Sequence, residues 1–269
     1  MSGAAPAPWG QAVVTGASSG IGAALARALA ARGHSLMLVA RRVQELEALA
    51  SELRHAHGVA VEVRPCDLAN RAELAELRAE LAWREVSVLC NNAGFPTCAA
   101  LADCDPVREV QALEVNVVAM QELTLAVLPG MLARRAGAIL ITGSNAGEQP
   151  VPSAATYSAS KAFANTFAQA LASELQGSGV SCTLLAPGPV RTGFAQAGGI
   201  EHMERKRWIA WMTPERVAEE ALIALTAERR IVIPGAVAKV QALAGRYTPR
   251  RLLFPILRRV VLPRLRAGG

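Results

Sequence analysis

A short apolar run, Gln11 to Thr15, empties directly into the glycine-rich turn TGASSGIG, and an alanine-rich periodic segment, Ile21 to Ala31, follows until Gly33. Strand, glycine turn and helix in immediate succession are the start of a β-α-β unit. The same alternation then repeats. Continuous apolar runs at Ser35 to Ala40, Val59 to Val63, Val86 to Cys90, Ala138 to Thr142, Val180 to Leu185 and Arg230 to Ile233 predict six further strands. Helical periodicity fills the intervals at Val43 to His55, Arg71 to Trp83, Pro106 to Leu132, Ala155 to Leu175 and Pro214 to Ala227. Strands that are apolar throughout need cover on both sheet faces, so the pattern predicts an α/β, Rossmann-type doubly wound parallel sheet of about seven strands.

A chain of 269 residues with 52% hydrophobic residues suffices to bury one sizeable core, and no internal repeat divides it. A single domain over residues 10–247 is expected, after a disordered lead-in at 1–9 and before a basic amphipathic tail at 248–269. The lead-in MSGAAPAPWG lacks both the basic region and the apolar stretch of a secretory signal, so a cytoplasmic location is expected. Five cysteines, Cys66, Cys90, Cys98, Cys104 and Cys182, form no CxxC pair and no metal-ligand spacing. Cys66, Cys90 and Cys182 read as buried thiols beside strands, whereas Cys98 and Cys104 fall in a loop where reactive and inert readings are both open.

Chemistry concentrates in a few positions. Gly16, Gly20 and Gly22 allow a tight turn, close approach of backbone to a pyrophosphate, and close helix-to-strand packing, with phosphate at the helix amino terminus. Tyr157 and Lys161 lie four residues apart in YSASK, hence on one helix face, where an ammonium beneath a phenol favours the phenolate and lowers its pKa toward the range of a general acid/base. Ser144 precedes Tyr157 by 13 positions, and Asn116 lies upstream of both. Taken one at a time, Asn116 reads equally as a satisfied helix polar group and Ser144 as a cap.

With NNAG at Asn91 to Gly94 and PGPVRT at Pro187 to Thr192, residues 10 to 235 resemble the short-chain dehydrogenase/reductase family. The resemblance implies an NAD(P)-dependent oxidoreductase with a catalytic tetrad of Asn116, Ser144, Tyr157 and Lys161 and no metal. It gives Tyr157 the proton on the carbonyl oxygen, Ser144 a hydrogen bond to that oxygen, Lys161 the nicotinamide ribose, and Asn116 an ordered water. It assigns cofactor contacts to Gly16, Ser18, Ser19, Gly20, Ile21, Gly22, Asn92, Ala93 and Gly94, to Tyr157 and Lys161, and to Pro187, Gly188, Val190 and Thr192. Asp67 and Leu68 in CDLA correspond to the adenine site, and a homodimer or homotetramer through the helices of Asn116 and Tyr157 is expected.

Cofactor choice has its own signal. Where an acid after the second strand would hold the adenosine ribose and repel a 2′-phosphate, this chain reads LVARRVQ, with Ala40 in the acid's place and Arg41 and Arg42 following. NADP(H) is therefore expected over NAD(H), unless the arginines only solvate a helix start. The variable substrate loop, about 192–214, holds Phe194, Ile200, Met203, Trp208, Trp211 and Met212. Either these form a pocket for a lipophilic ketone, aldehyde or alcohol, or they pack a lid onto the body.

The net charge of +6 is uneven. No acid follows Glu228, whereas Lys239, Arg246, Arg250, Arg251, Arg258, Arg259, Arg264 and Arg266 do, and without those eight the remainder carries −2. A body without interleaved basic and aromatic residues argues against nucleic acid. In the tail, Leu253, Ile256, Leu257, Val260 and Val261 recur at helical spacing against Arg251, Arg258 and Arg259, with Pro255 and Pro263 expected to kink or break the helix. Packing on the body or a second subunit, peripheral contact with an anionic membrane, and an acidic partner all remain open for it. Two functions compete with a lipophilic carbonyl reductase: a non-catalytic NADP sensor and a membrane-surface binder on the same fold.

Overall fold

The computed structural model describes residues 10–193, 210–257 and 259. The predicted lead-in and most of the substrate loop, Phe194, Ile200, Met203 and Trp208 included, lie outside the described residues, as do Val260, Val261 and Pro263. Seven strands, β1 (Gln11–Thr15), β2 (Leu36–Ala40), β3 (Val61–Pro65), β4 (Val86–Asn91), β5 (Gly137–Thr142), β6 (Val180–Leu185) and β7 (Ile231–Val232), form one parallel sheet in the order β3-β2-β1-β4-β5-β6-β7. Helices α1 (Gly20–Ala30), α2 (Val43–His57), α3 (Arg71–Trp83), α4 (Pro106–Leu113), α5 (Met120–Arg134), α6 (Ala155–Glu174), α7 (Pro214–Thr226), α8 (Ala236–Tyr247) and α9 (Arg250–Ile256) complete the described elements.

Successive side chains of a strand point to opposite faces, and the core divides accordingly. Ala12, Val14, Leu36, Leu38, Val88 and Leu140 join a layer under α1, α2 and α7. Val13, Met37, Val39, Leu89, Ile139 and Ile141 join the opposite layer under α3, α5 and α6. Strand order reverses between β1 and β4, so the loops that leave these neighbouring strands diverge and open a crevice at their carboxyl ends.

Three departures from the sequence expectation matter. The helix predicted over 106–132 is interrupted: a π-helical turn, Glu114–Ala119, separates α4 from α5 and carries Asn116. This stretch is long and apolar enough to cross a membrane, yet it buries Val115, Ala119, Met120, Leu123, Val127 and Met131 in the core. Second, α8 had no counterpart in the expected elements. Its inner face is Ala238, Ala242 and Gly245, whereas its large apolar residues point outward, which inverts the usual helical signal. Third, Pro255 does not break the tail helix: α9 runs through it, and Leu253 and Leu257 are buried against the body.

Candidate active site

The loops that leave β1 and β4 meet at Gly16. A Cβ on Gly16 would lie 2.9 Å from Ala93 Cα, and its φ of +66° favours glycine. At Gly22 a Cβ would strike the Gly16 carbonyl, so helix α1 starts as close to β1 as backbone allows. Thr15 fastens the two loops: its Oγ1 accepts from the amides of Asn92 and Ala93, both at 3.0 Å, and its carbonyl accepts from Asn92 Nδ2 at 3.0 Å. Thr192 closes the far side, its Cγ2 2.9 Å from where a Gly20 Cβ would be. Ser19 begins α1 without a side-chain cap, which leaves the first-turn amides of the helix without that partner. This backbone-lined cradle fits a dinucleotide pyrophosphate.

Arg42 Nε and Nη2 donate to Ser18 Oγ at 3.2 and 3.0 Å, so one guanidinium already reaches the glycine turn; it also pairs with Glu45 at 3.3 Å. Arg41 and Arg42 are both exposed, beyond the buried Ala40. Leu68 is buried, and Asp67 folds back to accept from the Ala69 amide at 3.0 Å. Ile21 packs against the core, Pro187 accepts from the Asn145 amide at 3.0 Å, Gly188 lies against Ala238, and Val190 bridges to Met212. Trp211 is half-buried, with its Nε1 enclosed and unpartnered.

At the other end of the crevice, Tyr157 and Lys161 project from α6 as their spacing predicts, and Ser144 is hydrogen-bonded to the Tyr157 phenol. Ser144 also caps the short turn Asn145–Glu148, accepting from the Ala146 amide at 3.0 Å. Lys161 is buried and donates to the Thr142 carbonyl at 2.8 Å; burial lowers its pKa to about 8. The expected lowering of the phenol pKa is not seen. Desolvation raises Tyr157 above its ordinary value, the Ser144 hydrogen bond opposes this, and neighbouring Cys98 adds to the rise. The physical reason is that a dry site penalises both charges, the ammonium and the phenolate alike.

Asn116 is buried in its π turn, donates to the Phe95 carbonyl and to Ser160 Oγ, each at 3.1 Å, and accepts from the Phe95 amide at 3.1 Å. Its remaining lone pair on Oδ1 faces Gly94, where an added Cβ would lie 2.8 Å from Oδ1 and 3.3 Å from Lys161 Nζ. Asn116, Lys161 and the NNAG loop thus converge on one point that only glycine leaves open.

Two residues of the site escaped the sequence reading. Asn165 is buried, accepts from the Ser144 amide at 3.2 Å, and donates to the Ser144 carbonyl at 3.0 Å and to Glu148 at 2.8 Å. Its signal was available, since 157, 161 and 165 share one helix face. Glu109 ties the 97–104 segment to the residue before Tyr157. Burial would raise its pKa, but hydrogen bonds from Thr156, Cys104 and Thr97 and the charge of Arg108 hold the carboxyl below its ordinary value. Both Cys98 and Cys104 are half-buried; burial pushes the Cys98 thiol up to about 11 and raises Cys104 as well, which disfavours the thiolate at each.

Fold and glycine turn together define the dinucleotide-binding α/β class, and the comparisons with known proteins give the family. The short chain dehydrogenase family profile matches residues 11–201. Over 191 residues the chain is 36% identical to a very-long-chain 3-oxoacyl-CoA reductase of Anas platyrhynchos, covering 69% of this chain and 61% of that one. It is 36% identical over 181 residues to an NADP-dependent 3-hydroxy acid dehydrogenase of Salmonella typhi, covering 66% and 71%. A short-chain dehydrogenase from Sphingobium yanoikuyae in complex with NADPH superposes with a TM-score of 0.80 at 33% identity, over 91% of this chain and 95% of that one. The chain belongs to the short-chain dehydrogenase family. It spans only 52% to 61% of the length of the 3-oxoacyl-CoA reductases it matches.

Proposed function

We propose that this protein is an NADPH-dependent reductase of lipophilic ketones or aldehydes, or catalyses the reverse alcohol oxidation. The observation that carries the reading is the Ser144–Tyr157 hydrogen bond one helical turn from buried Lys161, whose Nζ faces the opening at Gly94. NADPH held in the glycine cradle would supply a hydride to the carbonyl carbon. Tyr157, protonated at neutral pH as any phenol is, gives its proton to the carbonyl oxygen, and Ser144 orients that oxygen by a hydrogen bond. Lys161 would hold the nicotinamide ribose and, with a pKa near 8, passes a proton toward the phenol at little cost; Asn116 Oδ1, which faces Gly94, would order the water that refills it.

The NADPH preference rests on Ala40 where an acid would repel phosphate and on exposed Arg41 and Arg42 beside Ser18. A lipophilic substrate is supported by the half-buried Trp211 beside the loop and by the structural likeness, at 28% identity and a TM-score of 0.76 over 94% of this chain and 93% of that one, to a bulky-bulky ketone specific alcohol dehydrogenase from Comamonas testosteroni. Exposed Leu125 and Leu132 on α5 and Phe163 on α6 support a homodimer or homotetramer through those helices. A cytoplasmic enzyme with peripheral membrane contact completes the reading. The test is NADPH oxidation against lipophilic aldehydes, ketones and 3-oxoacyl thioesters. Turnover by the native chain that Tyr157→Phe abolishes is the expected result, and tight NADPH binding without turnover of any carbonyl would favour the sensor instead.

A further inference from the structure

Helix α8 turns its chemistry inside out. Ala238, Ala242 and Gly245 face the protein, where Ala238 O accepts from Asn145 Nδ2 at 2.9 Å and a Cβ on Gly245 would lie 2.9 Å from Gln149 Oε1. This small-residue face is locked onto the turn that follows Ser144, so the helix cannot roll to bury its larger side chains. Those are Val237, Val240, Leu243 and Tyr247, at steps of three, three and four residues along one outer stripe; Val240 is 66% and Tyr247 72% exposed. Leu252 and Phe254 of α9 extend the exposed apolar surface. Scattered exposed apolar residues need no explanation, but a stripe at helical period next to a second cluster does.

The charge around this surface selects its partner. Lys239 and Arg246 flank the stripe, Arg250 and Arg251 follow it, and no acid occurs after Glu228. Among the described residues, the ion pairs join other basic residues to other acids and include none of these four. Arg246 and Arg250 line a groove with Glu148, but two copies of such a face brought together about a twofold axis would still oppose Lys239 and Arg251 to their like. We propose that the outer surface of α8 and α9 docks on an anionic lipid bilayer, the apolar stripe entering the headgroup boundary and the basic flank lying on lipid phosphates. This rests on the peripheral membrane contact of the reading above, to which it gives a surface and a lipid charge, and it does not depend on the reductase activity. Because the inner face of the same helix braces the Ser144 turn, docking sets that turn one helix diameter from the membrane.

The intact protein is tested by flotation with phosphatidylcholine vesicles made with and without phosphatidylglycerol. Flotation only with the anionic vesicles, fading as salt is raised, is expected. Val240→Glu with Leu243→Glu is expected to weaken that binding by about tenfold or more, and Lys239→Glu with Arg251→Glu by about tenfold, with melting temperature unchanged in both because all four residues are exposed. The charge-reversed pair keeps the test valid if the first pair disturbs folding. Absence of flotation by the native protein, or equal flotation with neutral vesicles, overturns the proposal. So does an oligomer that dissociates in the Val240→Glu, Leu243→Glu variant when the native protein ignores vesicles, since the stripe is then a contact between copies.

Discussion

The two ends of the crevice are built by opposite means. The phosphate end is made of backbone and glycine, with Gly16, Gly20 and Gly22 shaping the turn and exposed arginines at its rim. The proposed catalytic end is made of side chains withdrawn from water: Asn116, Lys161 and Asn165 are buried, and half-buried Tyr157 is desolvated enough to raise its pKa. A wet grip holds charge cheaply and tolerates adjustment. A dry site strengthens every hydrogen bond in it but makes each charge costly, which explains why Lys161 is pulled down in pKa and Tyr157 pushed up.

The contrast breaks first at Tyr157. Tyr157→Phe removes the proposed proton donor and nothing from the glycine cradle, so kcat is expected to fall by about 10² or more with NADPH affinity nearly unchanged. Comparable turnover in this variant would take Tyr157 out of its role. Arg41→Ala with Arg42→Ala is the converse change at the wet end. Loss of two charge-assisted contacts to a 2′-phosphate should weaken NADPH by about a hundredfold and NADH by far less. If titrations with both cofactors weaken equally, the arginines do not read the phosphate.

Lys161→Met sharpens the cost of the dry end, because activity and stability should move in opposite directions. The folded pKa of Lys161, about 8, lies below its ordinary 10.5, so between those values the unfolded chain binds more protons and stability rises with pH. Below about pH 8 both states are protonated and the burial penalty is complete. Replacing the ammonium with an apolar chain of similar length is therefore expected to stabilise the protein by about 1 to 3 kcal/mol at pH 7, a gain that shrinks toward pH 10.5, while turnover and cofactor binding both suffer. Denaturant melts at pH 7 and pH 10 check the sign. A variant less stable than the native chain at pH 7 would mean that the Lys161 bond to Thr142 outweighs desolvation.

Legibility in the sequence follows the same division. Strands buried on both faces read as unbroken apolar runs, so β1 and β6 fall at the expected residues, and the glycine turn and YSASK read directly because their spacing is their geometry. What escaped depends on contacts between distant segments. Nothing local marks residues 114–119 as a π turn within a good helical pattern, since Asn116 is held there by Phe95 and Ser160. Helix α8 was hidden because small residues form its inner face, a choice dictated by how closely the Ser144 turn approaches. The direction of the phenol pKa shift is not legible in the sequence, which shows the neighbouring cation but not the desolvation that outweighs it.

Asn165 joins these threads, being a residue on the Tyr157 and Lys161 face whose work is done entirely through another group. It accepts from the Ser144 amide and donates to the Ser144 carbonyl, and Glu148 takes its remaining amide hydrogen. Asn165→Ala should leave two main-chain groups of Ser144 without partners, costing about 1 to 2 kcal/mol of stability and lowering kcat by about tenfold with little change in NADPH affinity. A purely structural residue would give the first effect alone. Asn165→Asp separates the cases further: the new carboxylate keeps an acceptor for the Ser144 amide but faces Glu148, so repulsion displaces the Ser144 turn when both are ionised. Protonation relieves that repulsion, and kcat of the Asp variant relative to native should recover as pH falls from 8 to about 5, whereas the Ala variant should keep a constant ratio. A parallel pH profile for the two variants, or unchanged kcat in Asn165→Ala, would reduce Asn165 to an ordinary buried amide.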